Sequence, residues 1–96
     1  MTAEEKIVAH FGPEHQLKKT VEELTELTLA IQHHLNGRSN REELVEEMGD
    51  AENMLSQMRR ILKIDLNEIE SVIRQKEERT IEIIERRNGG QNKTDG

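Results

Sequence analysis

Hydrophobic residues recur along this chain at steps of three and four positions, the spacing of helices that pack along one face. In the first long segment the recurring positions are Leu17, Val21, Leu24, Thr28, Ile31 and Leu35. In the second they are Leu44, Met48, Ala51, Leu55, Met58 and Leu62, and in the third Leu66, Ile69, Val72, Ile73, Ile83 and Ile84. No stretch alternates with period two over the length of a strand. The pattern predicts an all-α fold, a bundle of three main helices.

Glycine and proline mark where the first long helix begins and ends. Gly12-Pro13 interrupts a short amphipathic segment over residues 1–12, which is a candidate for a fourth, N-terminal helix. Proline suits the first turn of a helix, where its missing N–H is no loss. The first long helix is therefore predicted from about Pro13 to Leu35, with Asn36-Gly37 as its C-cap.

Capping patterns predict where the other two helices begin. Ser39, followed three residues later by Glu42, has the spacing of a capping box. Asp65 and Glu68 form a weaker version of the same pattern before the third helix. Because only a few residues connect the first two helices, they are expected to form an antiparallel hairpin.

The third helix is predicted to end at about Arg87, because Asn88-Gly89-Gly90 disfavours helix. We expect one helical domain over residues 1–87 and a disordered polar tail over residues 88–96.

Composition narrows the classes of protein to which the chain can belong. Hydrophobic residues make up only 32% of the chain and charged residues 35%, so the core is small and is expected to be completed by oligomerisation. A net charge of −6 argues against binding to nucleic acid. There is no cysteine, which excludes disulfides and a thiolate nucleophile. With no apolar run of membrane-spanning length and no signal-like start, the expected location is the cytoplasm, away from membranes.

The segments Val21–Leu27 and Val45–Ala51 repeat one pattern, in which two acids lie three residues apart on one side of a helix. Packed antiparallel, the two helices would bring together four carboxylates, those of Glu23, Glu26, Glu47 and Asp50. At separations near 5 Å and an effective dielectric near 20, each pair repels by about 3 kcal/mol. Such a cluster needs a divalent metal ion or must bind protons. The alternative is that these acids form an ordinary solvated face.

The position of these acids around each helix favours the metal site. At about 100° per residue, each acid pair lies beside its hydrophobic stripe, next to Leu27 and Ala30 on one helix and Met54 and Ile61 on the other. The acids are therefore expected to be half-buried. Because the ligands are all carboxylates, Mg²⁺ or Mn²⁺ is the expected ion.

Gly49 lies between two of these acids, within a predicted helix. It either lets a ligand or another backbone approach closely or is a tolerated weak point that costs about 1 kcal/mol relative to alanine.

Positive charge follows on the third predicted helix. Lys76 falls on the hydrophobic stripe, where its charge is expected to be buried, and Arg79 lies three residues further on. The two side chains have the spacing to grip phosphate oxygens. Alternatively, Lys76 extends its ammonium to solvent and Arg79 pairs with neighbouring glutamates.

These motifs resemble a known family. E-E-L-T-E on the first long helix, E-E-M-G-D on the second and K-E-E-R on the third resemble the MazG-like all-α nucleoside triphosphate pyrophosphohydrolases, in particular their short, stand-alone bacterial and phage members. The segment F-G-P-E-H-Q-L-K-K-T-V-E-E-L-T-E-L is similar to the first helix of that group. The resemblance covers about residues 8–84.

The resemblance implies a reaction and a role for each motif. Mg²⁺ is coordinated by Glu23, Glu26, Glu47 and Asp50, and a metal-activated water attacks the α-phosphate to yield a nucleoside monophosphate and pyrophosphate. Substrate-binding residues are Gln16, Lys76 and Arg79, and the candidates for the general base are Glu22 and Glu46.

The sequence also bears on the oligomeric state and on recognition of the nucleobase. The active form is expected to be a homodimer or homotetramer, with the site near or across the subunit interface. Aromatic residues are 1% of the chain, so only Phe11 and the four histidines are available to stack on a base. The alternatives are a non-catalytic oligomeric helical module and a nucleotide-binding relative without activity.

Overall fold

Four helices make up the computed structural model, which describes residues 1–38 and 40–95, with side chains described as far as residue 89. They are α1 (Ala3–Phe11), α2 (Pro13–Leu35), α3 (Arg41–Leu62) and α4 (Leu66–Asp95). The described residues contain no strand, so the predicted all-α fold is confirmed. The chain divides into two compact units, Met1–Lys63 and Ile64–Gly96, which are considered separately below.

The predicted N-terminal helix and the break after it are both present. Thr2 caps α1 through a capping box, in which its Oγ1 accepts a hydrogen bond from the Glu5 N–H at 3.1 Å and Glu5 Oε1 accepts one from the Thr2 N–H at 3.4 Å. Gly12 ends the helix with φ of +93°, a backbone angle that side chains with a Cβ rarely adopt. Pro13 then opens α2, which ends at Leu35 as predicted.

The cap of α3 differs from the predicted one. Asn40 is the N-cap, and its Oδ1 accepts a hydrogen bond from the Glu43 N–H at 2.8 Å. The predicted cap, Ser39, lies outside the described residues, and its predicted partner Glu42 lies in the first turn of α3. Asparagine and serine are about equally good N-caps, so the sequence alone could not choose between these neighbours.

Helices α2 and α3 form the antiparallel hairpin expected from their short connection, but of the predicted packing positions only Ala51 is among the buried residues described. The buried apolar side chains are Ala30, Ala51 and Met54, and the buried polar ones are Gln16, Thr20 and Gln57. Several residues of the predicted hydrophobic stripes are instead exposed: Val21, Leu24, Ile31, Leu35, Met48 and Leu62. The most deeply buried contacts between the helices are thus small and polar side chains together with Met54, while several larger aliphatic residues are exposed.

One side of the hairpin carries many of these exposed residues, and we call Leu24, Ile31, Leu35 and Met48 the apolar face. On α2 these residues lie about 60–100° from the buried stripe in one rotational sense, and Glu26 lies about 80° away in the other. On α3, Met48 lies about 120° from the buried stripe in the first sense and Asp50 about 40° in the second, while Glu47 lies close to the stripe itself. Because the helices run antiparallel, the apolar face lies on one side of the hairpin and the acids open toward the other.

Polar contacts at the start of α2 fasten it to α3. Gln16 Nε2 donates a hydrogen bond to Gln57 Oε1 at 2.8 Å, and Thr20 Oγ1 donates one to the Gln16 carbonyl at 2.8 Å. The Nδ1 atom of His15 lies 2.7 Å from Gln16 Oε1. Both the nitrogen and the oxygen of the buried Gln16 amide thus have a hydrogen-bond partner within the hairpin unit, as buried polar groups generally do.

The carboxylate of Glu4 connects helix α1 to α3 through two hydrogen bonds. Glu4 Oε2 accepts a hydrogen bond from the Ser56 hydroxyl at 2.7 Å, and its Oε1 accepts one from Arg60 Nε at 2.7 Å. These two hydrogen bonds lower the pKa of Glu4 below the ordinary value of a glutamate.

Helix α4, the second unit, begins with the predicted cap. Glu68 Oε2 accepts a hydrogen bond from the Asp65 N–H at 2.8 Å, and Asp65 Oδ1 accepts one from the Asn67 N–H at 2.9 Å. Its apolar side chains are between 36% and 52% exposed, so the predicted stripe of α4 is not buried within the chain. Lys76, predicted to be buried on this stripe, is exposed.

The predicted end of this helix at about Arg87 is wrong, because α4 continues to Asp95. Glycine costs a helix about 1 kcal/mol per residue but does not forbid it, and Arg86 pairs with Glu82 one turn before Gly89-Gly90, at 3.8 Å. The division of the chain into a domain over residues 1–87 and a disordered tail over residues 88–96 stays a prediction. None of the helices described is both long enough and apolar enough to cross a membrane.

Candidate metal centre

Three of the four predicted carboxylates converge between α2 and α3. One carboxylate oxygen from each of Glu23, Glu47 and Asp50 lies within 4.8 Å of the others, and we call these residues the carboxylate cluster. The antiparallel packing of the hairpin brings the repeated V-E-E pattern of α2 beside that of α3. Glu23 and Glu47 are half-buried, as predicted, whereas Asp50 is exposed.

The cluster opens into a groove of about 490 Å³ on the hairpin, which we call the acidic groove. The residues that line it are Lys19, Val21, Glu22, Glu23, Thr25, Glu26, Glu47 and Asp50. Glu26, the fourth predicted ligand, therefore lies in the same groove, although outside the cluster itself. Glu26 is exposed, and its role as a metal ligand stays a prediction.

Glu47 has the most unfavourable surroundings in the cluster. Its Oε2 atom is inaccessible to solvent and has no hydrogen-bond partner among the described residues. Burial raises the pKa of Glu47 above the ordinary value, and the negative charge of Asp50 raises it further. The charges of Glu26 and Glu23 act in the same direction. A buried carboxylate oxygen without a partner costs free energy unless a cation or a proton satisfies it.

Lys19 provides the positive charge nearest to the cluster. Its Nζ lies 3.2 Å from Glu23 Oε1 and 3.5 Å from Glu22 Oε2, and the hydrogen bond to Glu23 raises the pKa of Lys19. Lys19 was not among the site residues predicted from the sequence. The signal was present, because Lys19 precedes Glu22 and Glu23 by three and four positions, the spacings at which helical side chains meet.

The donor set suits a hard divalent cation. Mg²⁺ takes oxygen ligands at 2.0–2.1 Å, so oxygens on opposite sides of the ion are about 4 Å apart. Neighbouring oxygens around such an ion are about 3 Å apart. The oxygens of the cluster lie within 4.8 Å of one another, so their side chains must move closer together for all three to bind one ion. With carboxylates as the only ligands in the cluster, the chemistry fits Mg²⁺ or Mn²⁺ better than zinc.

The two candidates for a general base are placed differently. Glu22 lines the acidic groove, whereas Glu46, which is next to Glu47 in the chain, is exposed and is not among the residues that line it. Glu22 is therefore the better placed of the two. Gln16 is buried, donates a hydrogen bond to Gln57 and is not among the residues that line the groove. Its role as a substrate ligand stays a prediction.

Space is open around Gly49. A Cβ atom built on Gly49 would have nothing within 4 Å, so no described part of the chain uses the absence of a side chain there. The two interpretations of Gly49, a position open to a ligand or another molecule and a tolerated weak point of α3, therefore both stay predictions.

Lys76 and Arg79 lie on α4, in the second unit. Both are exposed, and Lys76 is bordered by apolar neighbours that include Val72, Ile73 and Ile81. Arg79 lies near Glu78 and Glu82 on the same helix. That these two cations contact a substrate held at the carboxylate cluster stays a prediction.

Among the described residues, the site is an acidic groove that contains a buried Glu47 oxygen without a hydrogen-bond partner and the counter-ion Lys19. Comparison of the chain with models of protein families, with curated proteins and with solved structures gives no match.

Proposed function

We propose that this protein hydrolyses nucleoside or deoxynucleoside triphosphates to the monophosphate and pyrophosphate in a Mg²⁺-dependent reaction. One observation carries the proposal: a buried carboxylate oxygen of Glu47 has no hydrogen-bond partner among the described residues and belongs to a cluster of three carboxylates. A cluster that only faces solvent would orient its oxygens toward water. An oxygen held out of water beside other negative charges is instead suited to a bound cation.

The chain's residues divide the work as follows. Glu23, Glu47 and Asp50 hold the ion, with Glu26 as a further ligand from the same groove. When bound, Mg²⁺ supplies an acidified water and screens the charge of the phosphates. Glu22, at the wall of the groove, accepts the proton of the attacking water.

The triphosphate also needs positive charge from the protein. Lys76 and Arg79, one turn apart on α4, are the proposed contacts for its outer phosphates. Support for this comes from the K-E-E-R motif and its resemblance to the MazG-like family, to which we propose that the chain belongs. The cytoplasm remains the proposed location.

Assembly into a homodimer or homotetramer is part of the proposal. Large aliphatic side chains are exposed on the hairpin and on α4, and a second copy would remove them from water. The same observation favours a second candidate function, a non-catalytic oligomeric module. Only the acidic groove separates the two candidates, because a module that merely assembles has no use for a carboxylate oxygen kept from solvent.

The test is to incubate the purified protein with each triphosphate and Mg²⁺ and to separate the monophosphate and pyrophosphate products. We expect Asp50→Asn to lower the rate by about a hundredfold or more, since it removes a ligand that stabilises the reacting charge. Glu52→Gln, on an exposed part of the same helix, changes the net charge equally and should leave the rate within about twofold. Absence of hydrolysis with every triphosphate at millimolar Mg²⁺ would contradict the proposal.

A further inference from the structure

The charge balance of the acidic groove depends on Lys19. Among the described residues that line the groove, it is the one basic side chain beside the carboxylates of Glu22, Glu23, Glu26, Glu47 and Asp50. Its ammonium lies between two of them, 3.2 Å from Glu23 and 3.5 Å from Glu22. Lys19 is therefore the internal counter-ion of the groove.

Glu23 has two competing uses. It pairs with Lys19, and it is also one of the three carboxylates whose oxygens converge. A divalent cation at the cluster would place a second positive charge within a few ångström of the ammonium, and the two cations would repel each other. The Lys19 side chain is 45% exposed and is flexible, so its ammonium can turn away without breaking the hairpin.

We propose that Lys19 exchanges partners during the reaction cycle. It neutralises Glu23 until a divalent cation is bound, and then turns its ammonium to the phosphate groups of the substrate. This inference rests on the proposed function and makes Lys19 a substrate-binding residue of the same site. It also gives Lys19 opposite effects on two affinities: it weakens metal binding in the absence of substrate and strengthens triphosphate binding in the presence of metal.

The experiment measures these two affinities separately with Lys19→Met. Mn²⁺ binding without nucleotide is followed by electron paramagnetic resonance of the free ion, at low ionic strength. Binding of a triphosphate analogue with an α,β-imido bridge is then followed by calorimetry at saturating Mg²⁺. We expect Lys19→Met to tighten Mn²⁺ binding by about threefold to tenfold, because a competing charge is gone, and to weaken analogue binding by about tenfold.

Lys18→Met is the matched control. Lys18 precedes Lys19 directly and pairs with Glu14 at 3.3 Å, outside the acidic groove. Its replacement changes the net charge equally, so both affinities should stay within about twofold of those of the parent protein. Lys19→Arg, which keeps the charge, should resemble the parent in both measurements, and circular dichroism checks that every variant is folded.

Two results would overturn the inference while leaving the proposed function intact. Lys19→Met binding Mn²⁺ no more tightly than Lys18→Met would show that Lys19 does not compete with the ion. Unchanged affinity for the analogue would remove Lys19 from the substrate site. If the parent protein itself bound no Mn²⁺ at millimolar concentration, the proposed function would fail, and this inference with it.

Discussion

Glu47 is held in the folded chain by surroundings that disfavour its charge. Its Oε2 atom has no partner among the described residues, and burial together with Asp50 raises its pKa. A raised pKa means that the folded state favours the neutral form of this group. In the absence of metal, the ionised carboxylate therefore lowers the stability of the hairpin, and a bound cation would reverse that effect.

The substitution Glu47→Gln tests the effect of this buried charge on stability. At pH 7 and without metal, we expect the variant to melt at a higher temperature than the parent, because a neutral amide replaces a poorly solvated charge. Mg²⁺ should raise the melting temperature of the parent protein, because an ion that binds only the folded state stabilises that state. It should not raise the melting temperature of Glu47→Gln, because this variant lacks one of the proposed metal ligands. Thermal unfolding by circular dichroism measures both. Glu46→Gln is the control, and a Glu47→Gln protein that melts lower than the parent would contradict the prediction.

Lys76 tests the contribution of α4 to the proposed reaction. Because its side chain is exposed, Lys76→Met should leave the melting temperature almost unchanged. As a phosphate contact, its loss should lower kcat/KM by roughly tenfold to a thousandfold. Arg86→Met removes a positive charge elsewhere on α4 and serves as the comparison. Hydrolysis by Lys76→Met at the parental rate would exclude Lys76 from the site.

At the scale of the helices, capping and the positions of Gly and Pro carried most of the information needed to predict the elements. The limits of α2 were predicted correctly because proline suits the first turn of a helix, and because Gly12 and Gly37 adopt φ angles of +93° and +71° that other residues rarely adopt. The end of α4 was predicted wrongly, since a glycine pair weakens a helix without necessarily ending it.

The packed faces were harder to predict than the helix limits. A hydrophobic stripe is expected on any helix surface that is buried, whether it packs against the same chain or against another molecule. In α2 the residues that meet α3 include Gln16, Thr20 and Ala30, which the pattern of large aliphatic residues passes over. The pairing of Gln16 with Gln57 joins residues far apart in the sequence, and no local signal announces it.

The carboxylate cluster was more predictable because it repeats one local motif on two helices. The spacing within each motif placed the acids on one side of each helix, and the short connection brought the two sides together. What spacing could not give was the solvent-inaccessible oxygen of Glu47 or the exposure of Asp50. Those depend on how far the two helices are rotated toward each other.

Helix α1 provides a prediction about pH. Its attachment through Glu4 lowers the pKa of that carboxyl by hydrogen bonds from Ser56 and Arg60. A lowered pKa in the folded state contributes stability that is present above the ordinary glutamate value of about 4.3 and is lost as the pH falls below it. We expect Glu4→Ala to lower the free energy of unfolding by about 1 kcal/mol at pH 7, and by much less near pH 3.

Urea unfolding at the two pH values measures this difference. Glu14→Ala is the control, because Glu14 pairs only with the exposed Lys18 and surface pairs of that kind contribute little. A cost of Glu4→Ala that is the same at pH 7 and pH 3 would show that α1 is held by contacts other than the ionised carboxylate.

At the scale of the whole molecule, the exposed aliphatic residues predict assembly. Light scattering at micromolar concentration should give the mass of a dimer or a larger oligomer. Ile31→Glu, which places a charge in the apolar face, should shift the mass toward the monomer because burying an unpaired charge is costly. Leu29→Glu is a matched control, since Leu29 is 44% exposed and Ile31 46%, but Leu29 points away from the apolar face. A monomeric parent protein would contradict the prediction.

Helices α2 and α3 each carry acids of the groove on one side and residues of the apolar face on another, and this has a consequence for insertions and deletions. One residue added within α2 between Glu23 and Ile31 would turn the rest of the helix by about 100°. The aliphatic residues beyond the insertion would then point away from the apolar face, while Glu23 stayed in place. Substitutions can alter the two sides one at a time, but a change of length inside either helix disturbs both together. Variation in length among related chains is therefore expected in the connection around residues 36–40, where added residues leave both helices in register.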